Sequence, residues 1–136
     1  MNYLADTHFL IWSLQGSPKL SKKGKDILLD ENNSIYYSFV NVWDVAIKYA
    51  LHKDDIPFSL GKFDGFCKQA GFIPLHVKFN HIPVLETLSY ARDEAPRNHK
   101  DSFDRLLLAR AKAENMCFIT HDELMPYYHE LCVVKV

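Results

Sequence analysis

The sequence predicts an α/β domain built on a central, mostly parallel sheet, and three observations carry that prediction. Short apolar runs of strand composition alternate with segments whose apolar residues recur at helical spacing. Aspartates stand where predicted strands end and the next element begins. No repeat, low-complexity tract or interdomain linker interrupts the 136 residues, which read as one domain over 1–136. At 48% apolar content, such a chain buries roughly two thirds of its unfolded surface and needs no disulfide to hold a core.

Asn2 to Ala5 forms a first strand by composition. Thr7 is the expected N-cap of a helix that carries Phe9, Leu10, Ile11, Trp12 and Leu14 as far as Gly16. Ser21 caps a second helix running to about Asp30, and Asn32-Asn33-Ser34 turns the chain into a second strand, Ile35 to Ser38. From Val42 to Leu51, apolar Val42, Trp43, Ala46, Ile47 and Ala50 fall at helical spacing, leaving Asp44 and Lys48 as an i,i+4 pair elsewhere on the surface. Leu60 to Ala70 reads as helix, Phe72 to Leu75 as a short strand and Ile82 to Ala91 as a further helical stretch. The polar loop Arg92 to Lys100 leads into "DSFDRLLLARAKAEN", a largely buried helix. Met116 to Thr120 makes another strand, followed by a short helix near Glu123 to Tyr127 and the apolar Leu131 to Val134. Trp12, Trp43 and Phe103 read as core. Tyr36, Tyr37, Tyr90, Tyr127 and Tyr128 look exposed, as partner surface or internal packing.

Composition excludes several function classes. Cys67, Cys117 and Cys132 lack any C-x-x-C pair, which points to reduced thiols in a cytoplasmic protein and away from a zinc site. No apolar stretch approaches the ~18 residues of a membrane span, so no membrane contact is expected. A formal charge of −1 gives no global nucleic-acid signature, although it leaves room for a local basic rim around an acidic site. P-loop, G-x-S-x-G and H-E-x-x-H signatures are absent.

The acids carry the chemistry. Asp6 ends the first strand, Asp44 lies in the helix after the second, Asp101 and Asp104 open the long helix, and Asp122 follows Thr120. In open parallel sheets, ligands bind beyond the carboxyl ends of the strands, where Asp6 and Asp122 meet. Asp101 and Asp104, three apart, share the positive N-terminal end of one helix. A like-charged pair 4 Å apart repels by about 4 kcal/mol at an effective dielectric of 20, so the cluster calls for a cation. Hard oxygens suit Mg²⁺ or Mn²⁺, which keeps waters and takes substrate phosphate as a further ligand, and this implies metal-assisted phosphodiester hydrolysis.

"YLADTHFLIW", "SFVNVWDVAIK", "HKDSFDRLLLARA" and "CFITHDELM" together resemble the successive motifs of PIN domains, specifically VapC-type toxins, over nearly the whole chain. The resemblance implies a three-layer α/β/α PIN-like fold with a central mostly parallel sheet flanked by helices. It also implies Mg²⁺- or Mn²⁺-dependent endoribonuclease activity, homodimerisation and neutralisation by a cognate antitoxin. Asp6, Asp44, Asp104 and Asp122 match the metal-binding acids, and Asp101 an additional acid of one subgroup. Two positions depart from the pattern. Asp44 follows Trp43 where the family usually has glutamate, so its shorter side chain reaches a metal directly or through water. Asn41 stands where a small hydroxyl residue is usual, which puts the supporting hydrogen bonds of Ser38 and Asn41 in question.

Each acid also has a plainer reading. Asp6, Asp101 and Asp122 suit helix caps, and Asp44 suits a pair with Lys48. Asp104 resists such a reading, being a poor helix former among apolar neighbours. Lys48, Arg97, His99, Lys100 and Arg105 lie near the acidic motifs and could neutralise flanking RNA phosphates, Arg105 best placed beside Asp104; as surface charge they would need no such role. No histidine is assigned as a general base. Single-stranded or loop RNA is the expected substrate, because its unstacked bases are readable. The competing class is a noncatalytic RNA- or protein-binding module of the same fold. A receiver-like phosphoacceptor domain fits less well, lacking a placeable lysine after a downstream strand.

Overall fold

Tyr3 and Ala5 of the first strand point to one side of the sheet and Leu4 to the other, and all three are buried. That period-2 alternation on a strand apolar on both faces is what a sheet covered on both sides requires. In the computed structural model, which describes residues 1–51 and 59–136, the elements run β1 (Asn2–Ala5), α1 (Thr7–Gln15), α2 (Lys22–Leu29), β2 (Ser34–Ser38), α3 (Phe39–Leu51), α4 (Leu60–Gln69), β3 (Ile73–Leu75), α5 (Ser102–Ala113), β4 (Cys117–Thr120) and β5 (Val133–Lys135). The strands order β3-β2-β1-β4-β5, and every neighbouring pair is parallel. On one face Tyr3, Ala5, Ile35, Tyr37 and Ile119 pack against α1 and Phe63 of α4. On the other, Leu4 and Phe118 pack against Leu107, Leu108 and Ala111 of α5. The expected three-layer α/β/α arrangement is the one observed, and β1, central in the sheet, carries its C-terminal end to the middle of the site edge.

Ser21 caps α2 by accepting from Gly24 N at 3.1 Å, and Gly16 ends α1 in the left-handed conformation at φ 61°, both at the expected positions. Several expectations are corrected. The N-cap of α1 is Asp6, whose Oδ1 accepts from Phe9 N at 2.7 Å; Thr7 is the first helical residue, and its hydroxyl turns elsewhere. Helix α3 begins at Phe39, three residues before Val42, because Ser38 and Asn41 close its first turn: Ser38 N donates to Asn41 Oδ1 at 2.7 Å and Val40 N to Ser38 Oγ at 2.9 Å. The span Ile82 to Ala91 is no α-helix. Short 3₁₀ turns occupy Phe79–His81 and Pro83–Thr87, Pro83 offering no N–H to a continuing helix. The short helix near Glu123 is likewise a 3₁₀ turn, Met125–Tyr128. Trp43 is no core residue, standing 53% exposed with its ring edge-on to Phe103 at 5.6 Å between ring centres. Tyr37 and Tyr128, by contrast, are buried.

Candidate functional site: an acidic cleft at the strand ends

Asp6 binds three segments together. Its Oδ1 caps α1, while Oδ2 accepts from Thr120 Oγ1 at 2.6 Å and from His121 N at 2.9 Å. Thr120 Oγ1 in turn accepts from Asp122 N at 3.0 Å, and Asp122 Oδ1 accepts from Leu124 N at 2.9 Å. The ends of β1 and β4 therefore meet through their acids, as the parallel sheet requires. Asp101 caps α5, accepting from Phe103 N at 3.0 Å and Asp104 N at 3.1 Å, so the cap reading of this residue holds while it also sets the start of the helix that carries Asp104.

Asp44 is buried, not on the surface. It lies beside Val40, Asn41 and Val45 on the inward side of α3, and its Oδ2 accepts from Thr7 Oγ1 at 2.8 Å and Lys48 Nζ at 3.2 Å. Asn41 Nδ2 donates to Thr7 Oγ1 and to Ala5 O, each at 3.2 Å, so the residue that departs from the family pattern still supplies a supporting bond. The pair with Lys48 is therefore present, inside a relay that starts at the end of β1, and Asp44 is not among the residues lining the cleft described below.

The acids surround Asp104. Burial and the charges of Asp6, Asp101, Asp122 and Asp44 push its carboxyl up to about 9. Asp122 stays below the ordinary carboxylate range: burial raises it, but the neighbouring His99 and the Leu124 N–H outweigh that. Asp6, Asp101, Asp104 and Asp122 line a cleft of about 280 Å³. His8, Trp12 and His121 form its other wall, with the His121 ring 4.5 Å from Trp12 and 6.0 Å from Phe9. Among the described residues, His99, Asp104 and Asp122 bring one ligand atom each within 4.8 Å of one another. A buried carboxyl denied its charge by four others, and an imidazole nitrogen without a partner beside it, fit a divalent cation.

The chain matches no protein-family model and no curated protein sequence. Solved structures do match along its whole length. It covers 100% of this chain and 98% of the other in VapBC2 from Rickettsia felis bound to a DNA fragment from their promoter, at TM-score 0.67 and 16% identity. VapBC-1 from nontypeable Haemophilus influenzae matches at TM-score 0.65 and 15% identity over 99% and 98% of the two chains. A toxin–antitoxin complex from Klebsiella pneumoniae matches at 0.59 and 16% over 98% and 96%. The chain has the VapC-like PIN fold.

Within that VapC-like fold the expected basic residues are placed unevenly. Lys48 is engaged by Asp44, and Arg97 pairs with Glu123 at 2.8 Å with both side chains exposed. Lys100 is exposed. Arg105 turns to the Tyr128 side, its guanidinium 5.9 Å from that ring centre and its Nη2 3.4 Å from Leu85 O. Of the histidines, the sequence marks only His99, and as a residue facing RNA phosphates, whereas the structure puts it beside Asp122. His99 had a signal, standing two residues before Asp101 in the polar loop, but its burial beside Asp122 depends on Tyr128 from a distant segment. His8, Trp12 and His121 carried no signal beyond their closeness to Asp6 and Asp122. No described helix is long and apolar enough to cross a membrane.

Proposed function

We propose that this chain is a Mg²⁺- or Mn²⁺-dependent endoribonuclease of VapC type, with Asp6, Asp44, Asp104 and Asp122 holding the metal and Asp101 positioning Asp104. The observation that carries the reading is the buried Asp104 carboxyl, pushed up to about 9 by burial and by four further carboxylates, Asp6 and Asp122 at the ends of β1 and β4, Asp101 at the cap of α5 and Asp44 on α3. Such a group is stable as an anion only with a cation beside it. When bound, the cation supplies an activated water and neutralises charge on the phosphate and leaving oxygen. The protein's own part is placement. Three donors fix Asp6, the Thr7 hydroxyl and Lys48 fix Asp44, and the Asp101 cap sets the turn from which Asp104 projects. His8 and Trp12 line the cleft and would meet unstacked bases of single-stranded RNA, and the exposed Lys100, next in sequence to Asp101, would neutralise a flanking phosphate.

The same reading supplies the partners: RNA as substrate, a cognate antitoxin as inhibitor and a second copy of the chain, all in the cytoplasm. Arginine from an antitoxin suits the cleft, since bidentate pairing to a carboxylate is strong. The test is cleavage of a mixed cellular RNA pool by partner-free protein in Mg²⁺, Mn²⁺ or EDTA, beside Asp104→Asn. Metal-dependent cleavage that drops by about 100-fold or more in a folded variant is expected; cleavage at the parent's rate would refute the assignment. One observation favours a second reading. Asp44 is tied to Lys48 and lies outside the His99–Asp104–Asp122 group, as suits a noncatalytic RNA-binding module, for which RNA is retained without turnover in every metal.

A further inference from the structure

His99 precedes α5 on a segment without regular structure, yet its side chain is only 2% exposed. Its Nδ1 lies 2.7 Å from the hydroxyl of buried Tyr128, whose ring stands perpendicular to the imidazole at 5.4 Å between centres. Its Nε2 has no hydrogen-bond partner. The nearest acid oxygen, Asp122 Oδ2, is 3.3 Å away in an alignment too poor for a hydrogen bond. A buried imidazole nitrogen left unpaired is costly and calls for an explanation; the His121 ring nitrogens share that condition, but among the described residues it is His99 that brings a nitrogen into a group with two carboxylates. With a cation bound, Nδ1–H donation to Tyr128 would turn the Nε2 lone pair toward the ion, the arrangement in which a second partner orients a metal-binding histidine, whereas without one it is an Nε2–H that faces Asp122.

We propose that His99 Nε2 is a direct ligand of the cation, bound with Asp104 and Asp122, so that the site is a mixed nitrogen–oxygen centre and not carboxylate alone. The inference rests on the metal-site reading above and adds a ligand that the acidic motifs do not contain. The spacing suits it. Ligands at about 2.1 Å from one octahedral ion stand roughly 3 Å apart when adjacent and about 4.2 Å when opposite, and these three atoms already lie within 4.8 Å of one another. Tyr128 is the positioning residue, acting only through the ring it holds. An imidazole in an oxygen set shifts preference from Mg²⁺ toward Mn²⁺ and the later divalent metals.

The experiment loads the full chain with Mn²⁺ alone and reads electron spin-echo modulation, which detects ¹⁴N bonded to the ion independently of turnover. Modulation is expected in the native protein and is altered by ¹⁵N-histidine labelling. It disappears in His99→Ala and His99→Gln and persists in His8→Ala and His121→Ala. Mn²⁺ affinity falls about tenfold or more on His99→Ala, with a smaller change for Mg²⁺. Should the His99 variants not fold, a His8→Ala/His121→Ala double variant that keeps the modulation sustains the assignment, and one that loses it overturns it. Bound Mn²⁺ that is released by Asp104→Asn yet shows no nitrogen modulation overturns the ligand and leaves the carboxylate site standing. Native protein that binds no Mn²⁺ overturns both.

Discussion

Thr7 shows how one hydroxyl can decide what an aspartate does. It accepts from Asn41 and donates to Asp44, so the shorter acid is held at a defined point on the inward side of α3. Thr7→Val removes that donor and acceptor at once. The expected cost is about 1–3 kcal/mol in urea unfolding, because Asp44 and Asn41 are both buried, together with reduced RNA cleavage. Asp104 behaves in the opposite sense. Its charge is unfavourable without a cation, so Asp104→Asn is expected to raise the melting temperature of metal-free protein, by roughly 4 °C for each kcal/mol relieved. Added Mn²⁺ then raises the parent's melting temperature and leaves the variant's unchanged; calorimetry with and without EDTA reads both.

At the scale of elements, what was legible in the sequence was what is encoded locally. Strand β1, the Ser21 cap, the Gly16 stop and the acids at strand ends are properties of a few adjacent residues, and the structure places them as read. Where contacts between distant segments decide, the reading failed. The periodicity of Ile82 to Ala91 did not reveal that the chain takes two 3₁₀ turns there, around a buried His81 whose Nδ1 accepts from Lys78 N at 3.1 Å and Arg110 Nε at 3.2 Å. Arg110, fully buried in α5, donates to Leu75 O at 2.7 Å, and nothing in "LLLARA" distinguishes it from a surface arginine. His81 Nε2 and Glu114 Oε1 stand 2.7 Å apart, and that bond, with Lys78, holds the Glu114 carboxyl below its ordinary range against a smaller opposing effect of burial. A depressed carboxyl stabilises the fold above its unfolded pKa of about 4.3 and ceases to do so as pH falls through the lower, folded value. Glu114→Gln is therefore expected to melt below the parent at pH 7 and to converge with it toward pH 3, measured as melting temperature across that range.

Over the whole molecule, some of the apolar residues left outside the core fall on one face of one helix. Phe39, Trp43, Ile47 and Leu51 recur every fourth position along α3 and are all exposed, a stripe continuous with Phe103 through the Trp43 ring. A patch of this kind is where the second copy of the chain proposed above would pack. Trp43→Asp with Ile47→Asp is expected to shift sedimentation to a smaller species with the far-ultraviolet circular dichroism unchanged; a parent that already sediments as one copy would count against the second-copy reading. The order of the strands has a consequence in time. Asp6 lies near the start of the chain, yet two of its donors, Thr120 and His121 N, lie near the other end of the described residues, because β1 pairs with β4 across more than a hundred positions. While the ribosome is still translating the segment up to Thr120, the emerging chain has no assembled cleft. Whatever the site binds is out of its reach until β4 has docked.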